Sequence, residues 1–367
     1  MRETSILIKP ASAECNCVCT YCFYDDVSNC RVVKSHGLIK EETWKKLVDD
    51  AFDSKHQFDR VNFMFQGGEP LLAGHRFFRA FIDYTQANRG AIEVSYAVQT
   101  NGTRITDRLC KLFKEYDFLV GISIDGFKEN HNMMRFLHDV GSYDAVIVGL
   151  ELLKKHDIEY NVLTVLTKQL AKQPEKLYNF YKEQGIKFVQ LIPCLPNFGI
   201  SAEEDLYACT PELYGSFYTK FYELWLNDFK QGHYLSESLI DNVITMFMGG
   251  YPDRCGMLGF CQSQCVVEAN GSVYPCDFYV LDEFESGNIN TMKLDDILEQ
   301  DVMETFKDHD QVLPEKCKTC PFQKICNGNC KRMRPTFINE DTCGYQLLLQ
   351  DMVATYPEVV SVINSQS

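Results

Sequence analysis

The feature that most constrains this chain is its cysteine content. Its 367 residues include 17 cysteines, an odd number, and many of them recur at short spacings. The first ten residues carry Arg2, Glu3 and Lys9 and contain no signal-peptide core. We therefore expect a cytoplasmic location, where disulfides rarely persist. Thiols at short spacings in such a compartment indicate ligands of metal ions or iron–sulfur clusters.

The net charge of the chain indicates which classes of binding partner to expect. There are 36 Lys and Arg residues against 51 Asp and Glu residues, which gives a formal net charge of −15. Binding to nucleic-acid phosphates requires a basic surface, so we expect no nucleic-acid partner. Because no apolar run is long enough to cross a bilayer, we expect no membrane contact either.

Up to about residue 195, short apolar runs alternate with helical patterns. The predicted strands are Ser5–Lys9, Arg60–Phe65, Glu93–Gln99, Phe118–Ile124, Tyr160–Leu166 and Phe188–Ile192. The predicted helices are Glu41–Phe52, His75–Ala87, Asp107–Glu115, Tyr143–His156 and Glu175–Gln184. This alternation predicts an α/β fold, a partial (βα)6 TIM-like barrel with a parallel sheet. In such a fold the functional site lies beyond the carboxyl ends of the strands.

After residue 210 the alternation of strand and helix patterns ends. Residues 211–250 are predicted to be helical, with Phe217, Phe221, Leu224 and Trp225 forming a core stripe. Residues 255–343 then hold nine of the 17 cysteines and show little periodicity, which is typical of a domain organised by metal. We therefore predict three domains, at residues 1–210, 211–250 and 251–367.

Three cysteines near the N-terminus follow the spacing C-x3-C-x2-C. Thiolates of Cys15, Cys19 and Cys22 can bind three irons of a 4Fe–4S cluster and leave the fourth iron open. An open iron can chelate adjacent amino and carboxylate groups, as in the methionine end of S-adenosylmethionine (SAM). The spacing alone also permits a zinc site with Cys17 as a fourth ligand.

Two further motifs connect this cysteine loop to a known family. The run C-N-C-V-C-T-Y-C-F-Y, which includes the aromatic Phe23, resembles the signature loop of the radical SAM superfamily. The run Gln66-Gly67-Gly68-Glu69-Pro70 follows the second predicted strand and resembles the G-G-E-P motif of that superfamily. The resemblance implies that the backbone and carboxylate of this motif hold the amino group of SAM.

The same resemblance implies further contacts to SAM at the end of the fourth predicted strand. Ser123 and Asp125 occupy the positions where the superfamily contacts the ribose and the carboxylate. Arg135 is expected to pair with the SAM carboxylate, since a guanidinium binds that group in a bidentate way. A surface salt bridge is the alternative for Arg135.

The C-terminal cysteines resemble the SPASM domain of peptide-modifying radical SAM enzymes. The resemblance implies two auxiliary 4Fe–4S clusters in addition to the first. The implied ligands of auxiliary cluster I are Cys255, Cys261, Cys276 and Cys330. The implied ligands of auxiliary cluster II are Cys317, Cys320, Cys326 and Cys343.

The stretch V-Y-P-C-D-F-Y-V-L-D, at residues 273–282, resembles the anaerobic sulfatase-maturating enzymes. The run Gln99–Thr103 and Tyr24 also match that group. The resemblance implies oxidation of a Cys or Ser of a sulfatase, within a C/S-x-P/A-x-R segment, to Cα-formylglycine. It also implies a 5′-deoxyadenosyl radical that removes a hydrogen atom from Cβ of the target.

The resemblance assigns roles to individual residues as well. Asp277, beside Cys276, is the expected base, and auxiliary cluster I is the expected electron acceptor. A carboxylate that receives backbone N–H bonds is the alternative for Asp277. Tyr24 and Gln99 are expected to shape or contact the substrate, unless they serve core packing or face solvent. The expected partners are an unfolded sulfatase or peptide and a flavodoxin- or ferredoxin-type electron donor.

Two other functions remain open on the sequence alone. A SPASM enzyme that forms a thioether or carbon–carbon link in a ribosomally made peptide would use every cluster ligand named above. A non-catalytic iron–sulfur carrier or zinc-binding interaction protein is the second alternative. The G-G-E-P run and the open-site cysteine loop argue against this second alternative.

Overall fold

The computed structural model describes residues 2–257, 260–309 and 312–366. Its strands, in chain order, are β1 Glu3–Ile8, β2 Cys17–Cys19, β3 Arg60–Phe65, β4 Glu93–Thr100, β5 Leu119–Ser123, β6 Arg135–Leu137, β7 Val140–Gly141, β8 Tyr160–Leu166, β9 Phe188–Pro193, β10 Ser236–Glu237, β11 Cys265–Val267, β12 Ser272–Tyr274 and β13 Gly287–Asn288.

The helices in chain order are α1 Phe23–Asn29, α2 Glu41–Phe52, α3 Gly74–Asn88, α4 Asp107–Glu115, α5 Lys128–Met134, α6 Tyr143–Lys155, α7 Pro174–Glu183, α8 Pro211–Lys230, α9 Ser238–Phe247, α10 Leu294–Leu298, α11 Asp301–Asp308, α12 Glu315–Lys318, α13 Gln323–Cys326 and α14 Gly344–Gln366. Short 3-10 helices lie at Pro70–Ala73, Leu170–Lys172, Asp277–Tyr279, Asp282–Phe284 and Arg334–Thr336. In the part of the chain that the structure describes, no helix combines the length and apolar character needed to cross a bilayer.

The chain divides into two compact units that interleave along the sequence. The first unit comprises Met1–Ser123, Asn132–Tyr160 and Gln262–His309. The second comprises Ile124–His131, Asn161–Cys261 and Asp310–Ser367. These units do not correspond to three consecutive segments, so the boundaries at residues 210 and 250 stay a prediction.

A mainly parallel sheet forms the centre of the first unit. Strand β1 pairs in parallel with β3, and β3, β4 and β5 continue the sheet in the same direction. On its other side β1 pairs in parallel with β11, and β12 and β13 follow as antiparallel strands. Ile8 is paired with both Phe65 and Val267, so the carboxyl ends of β1, β3 and β11 lie at one edge.

Aromatic side chains form the core between this sheet and its helices. Phe63 and Phe65 project from one face of β3, because side chains alternate along a strand. Phe78 and Phe81 of α3 meet them, and the ring centroids of Phe65 and Phe81 are 5.1 Å apart. All four rings are at most 1% exposed, and burying a side chain of this size contributes about 1.5–3 kcal/mol.

The second unit contains its own parallel strands and a helical core. Strands β8, β9 and β10 pair in parallel in that order. Helix α8 packs against α14 and buries Phe217, Phe221 and Trp225, each at most 1% exposed, whereas Leu224 is half-buried. The predicted core stripe on this helix is therefore confirmed at three of its four positions.

The predicted elements of the first 195 residues are confirmed, with ends shifted by up to two residues. The boundaries of α2 and α4 match the prediction in full, and a side-chain cap defines the start of α4. Thr106 precedes the helix in extended conformation, and its hydroxyl accepts a hydrogen bond from the backbone N–H of Leu109 at 3.3 Å. This bond satisfies one of the N–H groups that lack a partner within the helix.

Glu237 gives the second unit a dependence of stability on pH. Its side chain is fully buried, one carboxylate oxygen accepts from the backbone N–H groups of Leu239 and Ile240, and burial raises its pKa to about 7. The folded state then binds a proton that the unfolded state releases near pH 4.5. We expect the contribution of Glu237 to the free energy of unfolding to be largest below pH 4.5 and to fall by about 3 kcal/mol, at most, as the pH rises to 7.

Urea unfolding of the Glu237→Gln variant between pH 4.5 and pH 8 measures this effect. The variant should lose the part of the pH dependence that Glu237 contributes, whereas Glu223→Gln, at an exposed site on α8, should retain it. An unchanged pH dependence in Glu237→Gln would contradict this account.

Candidate active site

The predicted ligands of the first cluster lie on the loop that follows β1. No disulfide joins any two cysteines in the described residues. Within this loop β2 pairs antiparallel with β6, which places Cys19 opposite Arg135. Hydrogen-bond donors reach two of the sulfur atoms: Asn101 Nδ2 lies 3.7 Å from Cys15 Sγ, and Arg135 Nη1 lies 3.6 Å from Cys19 Sγ.

This donor set fits a 4Fe–4S cluster with an open iron. Three thiols share one short loop, and amide and guanidinium donors approach their sulfurs, as is usual around such clusters. Burial raises the pKa of the Cys22 thiol, so its thiolate form requires a nearby positive charge such as iron. Within residues 2–257, 260–309 and 312–366, no three His, Cys, Asp or Glu side chains are grouped to hold a single metal ion.

The G-G-E-P run packs against the chain just ahead of Cys15. The backbone N–H of Gly68 donates to Ser12 O at 2.9 Å, and that of Glu69 donates to Glu14 O at 2.8 Å. A Cβ atom on Gly68 would lie 2.1 Å from Glu14 O, so only glycine permits this approach. The two motifs of the predicted SAM site are thereby joined through their backbones.

Replacement of Gly68 by alanine should disrupt this junction. We expect Gly68→Ala to lower the free energy of unfolding by about 1–3 kcal/mol, because the backbones must separate. We also expect it to weaken SAM binding at least tenfold. Thermal unfolding and equilibrium binding of SAM measure the two effects. In the control Gly90→Ala, the new Cβ meets no atom within 4 Å and SAM binding should be unchanged.

Glu69 is fully buried, and protein donors engage both of its carboxylate oxygens. Oε1 accepts from Leu71 N at 2.9 Å and from Thr100 Oγ1 at 2.7 Å, and Oε2 accepts from Asn101 N at 2.8 Å. Burial raises its pKa to about 6. The carboxylate therefore holds the start of the loop that carries Asn101 beside Cys15, and its predicted contact with SAM stays a prediction.

The other predicted SAM contacts lie at the ends of strands or beside the cysteine loop. Gln99 at the end of β4 donates from Nε2 to Ser123 Oγ at the end of β5, at 3.1 Å. Arg135, in addition to its bond to Cys19, lies over the ring of Tyr21. In the second unit, the buried Asp125 accepts from the backbone N–H of Val165 at 3.0 Å through Oδ1. The contacts of Ser123, Asp125 and Arg135 with SAM stay predictions, and so does the contact of Gln99 with substrate.

Asp277 lies in a buried polar cluster at the carboxyl ends of β1 and β3. It begins a 3-10 helix directly after Cys276 and is 9% exposed. Its Oδ1 is paired with the ammonium group of Lys9, which is fully buried. Its Oδ2 accepts from Gln66 Nε2 at 2.6 Å. The sequence left open that backbone N–H groups bind this carboxylate. In the described residues its two partners are instead the side chains of Lys9 and Gln66.

Tyr24 lies next to this cluster and is buried, with 2% of its surface exposed. Its hydroxyl donates to Glu268 Oε2 at 2.7 Å, and Lys9 Nζ lies 3.8 Å from the centre of its ring. Glu268 also accepts from Arg31 Nη1 at 2.6 Å. Burial opposes ionisation of Glu268, but the charge of Lys9 and the bonds from Arg31 and Tyr24 lower its pKa. Tyr24 therefore packs against Lys9 and binds Glu268. Its contact with substrate stays a prediction.

The sequence analysis missed Lys9, Glu268 and Arg31 as members of this site. A signal for two of them is present in the sequence: Lys9 directly follows the apolar run of β1, and Glu268 directly follows that of β11. Charged residues at the carboxyl ends of buried parallel strands mark the functional edge of such a sheet. Phe23, which was predicted to bind the cofactor, packs edge-on against Phe278, with ring centroids 5.0 Å apart. Its contact with SAM stays a prediction.

The second unit brings most of the remaining cysteines together. A cavity is lined by four of them, Cys317, Cys320, Cys326 and Cys343. This set of four thiols fits a fully protein-ligated 4Fe–4S cluster. Cys255 and Cys261 lie near Cys330, and the buried Gly256 directly contacts that residue. Cys276, the fourth predicted ligand of auxiliary cluster I, belongs to the first unit.

Comparisons with known proteins agree with this geometry. Residues 11–181 match the Radical SAM superfamily, and residues 257–321 match SPASM, described as an iron-sulfur cluster-binding domain. The cysteine-type anaerobic sulfatase-maturating enzyme of Clostridium novyi is 40% identical over 342 residues, which are 92% of this chain and 91% of that protein. The serine-type enzyme of Bacteroides thetaiotaomicron is 30% identical over 90% of this chain and 83% of its own length.

A solved structure, "native anSMEcpe with bound AdoMet and Kp18Cys peptide", superposes with a TM-score of 0.89 at 34% identity. The match covers 99% of each chain. These findings confirm the predicted α/β fold and the C-terminal SPASM domain. The chain therefore belongs to the anaerobic sulfatase-maturating enzymes, a family of radical SAM oxidoreductases.

Proposed function

We propose that this enzyme oxidises an active-site cysteine of a sulfatase to Cα-formylglycine, with Asp277 as the base. The cluster of Lys9, Gln66 and Asp277 at the carboxyl ends of β1 and β3 carries the proposal. Cysteine is favoured over serine as the target because the cysteine-type relative is 40% identical and the serine-type relative 30%. Serine substrates would follow the same path with a hydroxyl in place of the thiol.

Three 4Fe–4S clusters and SAM are the proposed cofactors. Cys15, Cys19 and Cys22 would hold the first cluster, and the two sets of four SPASM cysteines would hold the others. When bound, these groups supply a 5′-deoxyadenosyl radical that removes a hydrogen atom from Cβ of the target, and an auxiliary cluster takes up the remaining electron. Gly67, Gly68 and the loop that Glu69 holds would form the walls of the SAM site.

Asp277 performs the proton transfer in this proposal. Formation of the C=S bond releases the thiol proton, which requires an acceptor within hydrogen-bond reach of the sulfur. Lys9 and Gln66 fix the carboxylate through one bond to each oxygen, so its orientation is set before substrate arrives. The ammonium of Lys9 also compensates the charge of a carboxylate that is largely removed from water. Water then converts the thioaldehyde to the aldehyde and releases hydrogen sulfide.

The proposed substrate is an unfolded sulfatase or peptide with a C/S-x-P/A-x-R segment. The anSMEcpe structure named above contains a bound peptide, which supports a peptide substrate. A flavodoxin- or ferredoxin-type protein is the proposed electron donor, because a cluster held by Cys15, Cys19 and Cys22 would need one electron for each SAM molecule that is cleaved.

Two synthetic peptides that differ in one atom test the choice of target. The reconstituted enzyme is given C-x-P-x-R or S-x-P-x-R peptide with SAM and dithionite, and the aldehyde is measured by mass spectrometry. We expect formylglycine from both peptides and a higher rate from the cysteine peptide. Equal rates, or a faster serine peptide, would contradict the cysteine preference. Formation of 5′-deoxyadenosine without aldehyde from either peptide would contradict sulfatase maturation.

A further inference from the structure

Arg334 is a buried cation at the cavity of the predicted auxiliary cluster II. The residue is 7% exposed, and its side chain lines the same cavity as the four cysteines of that site. Arginine remains charged at every pH at which the protein is folded. A permanent positive charge therefore lies beside the proposed position of a negatively charged cluster.

Backbone carbonyl groups hold the guanidinium of Arg334 in place. It donates to Gly328 O at 3.0 Å, to Val312 O at 3.2 Å and to Asn329 O at 3.5 Å. Gly328 and Asn329 both have positive φ, at 81° and 50°. This backbone conformation bends the segment between Cys326 and Cys330 around the side chain. The charge is thus fixed relative to a loop that carries one predicted ligand of each auxiliary cluster.

The charge of Arg334 lies near thiols of both predicted auxiliary sites. Arg334 lines the same cavity as Cys317, and its charge interacts with Cys317 and with Cys261. A positive charge at this place favours the more negative of two cluster oxidation states. The reduction potential of a cluster depends on such charges, on hydrogen bonds and on exposure to solvent.

We propose that Arg334 raises the reduction potential of auxiliary cluster II, so that this cluster retains the electron taken from the substrate. The inference rests on the proposed function, because it requires a 4Fe–4S cluster at Cys317, Cys320, Cys326 and Cys343. In the redox step the substrate carbon radical would lose one electron to auxiliary cluster I, the expected acceptor, which would pass it on. Auxiliary cluster II would then gain that electron and one unit of negative charge. The fixed cation stabilises the reduced cluster more than the oxidised one, since the reduced cluster carries the larger negative charge.

Redox titration of the reconstituted enzyme, followed by electron paramagnetic resonance without substrate, tests this inference. A Cys317→Ala/Cys320→Ala variant identifies the signal of auxiliary cluster II by its loss. In Arg334→Gln we expect the midpoint potential of that signal to fall by at least 59 mV, a tenfold change in the one-electron equilibrium. Arg334→Lys keeps the positive charge, so its midpoint potential should lie close to that of the unmodified enzyme. This variant tests the inference even if Arg334→Gln assembles poorly.

Lys324→Gln is the matched control, since it removes an exposed charge on the same segment, where water and salt screen it. Its potential should equal that of the unmodified enzyme. An unchanged potential in Arg334→Gln with a full iron content would overturn the inference. The iron content of the unmodified enzyme tests the proposed function separately. If it falls four atoms short of the number that three clusters require, the proposed set of clusters is overturned.

Discussion

Asp277→Asn should lower the rate of formylglycine formation by roughly a hundredfold to ten-thousandfold, the usual contribution of a positioned base. Asparagine has nearly the same shape and can still accept a hydrogen bond through its amide oxygen. It cannot take up the thiol proton when the C=S bond forms. SAM cleavage precedes this step, so 5′-deoxyadenosine should still be produced in single-turnover experiments.

The measurement is the ratio of formylglycine to 5′-deoxyadenosine after one turnover, at equal iron content. Glu283→Gln is the matched control, because it removes an exposed carboxylate in the same segment. Its ratio should equal that of the unmodified enzyme. A normal ratio in Asp277→Asn would show that another group takes the proton.

Lys9→Met should lower the free energy of unfolding by about 3–5 kcal/mol, the usual effect of breaking a buried ion pair. Lys9 is fully buried, and its ammonium group contacts Asp277 and the face of the Tyr24 ring. Methionine fills a similar volume but leaves the carboxylate of Asp277 without this cation. The variant should also yield less formylglycine for each 5′-deoxyadenosine, because Asp277 loses one of the two bonds that orient it.

A double-mutant cycle separates the ion pair from packing. In Lys9→Met/Asp277→Asn the carboxylate that lost its cation is removed as well, so part of the lost free energy should return. The control Lys55→Met breaks an exposed pair with Glu299 and should cost about 0–1 kcal/mol. Urea unfolding measures the four proteins of the cycle and the control. Additive losses in the double variant would contradict a direct interaction between Lys9 and Asp277.

The regular elements of the first 195 residues could be predicted because their patterns are local. The helical spacing of Leu109, Leu112 and Phe113 indicates a buried helix face, and all three are buried. Resemblance to the SPASM domain identified the four thiols that line the cavity in the second unit, and three of them lie within ten residues of sequence.

The polar cluster around Asp277 could not be predicted from local pattern. Lys9 and Asp277 are 268 residues apart in sequence, and Tyr24 and Glu268 are 244 apart. Their proximity results from the parallel pairing of β1 with β11, a three-residue strand within the cysteine-rich half of the chain. Neither its length nor its composition indicates which strand it joins. The contact of Tyr24 with Glu268 could not be predicted for the same reason, because Glu268 directly follows that distant strand. The predicted contact of Tyr24 with substrate stays a prediction.

The central claim is that this enzyme removes hydrogen from Cβ of the target residue and converts it to an aldehyde. Anaerobic turnover of a C-x-P-x-R peptide with deuterium at Cβ of the cysteine tests it most directly. The account predicts deuterium in 5′-deoxyadenosine and, in equal amount, a peptide in which oxygen has replaced sulfur. Unlabelled 5′-deoxyadenosine with an unchanged peptide, from enzyme that carries its full iron content, would contradict the account.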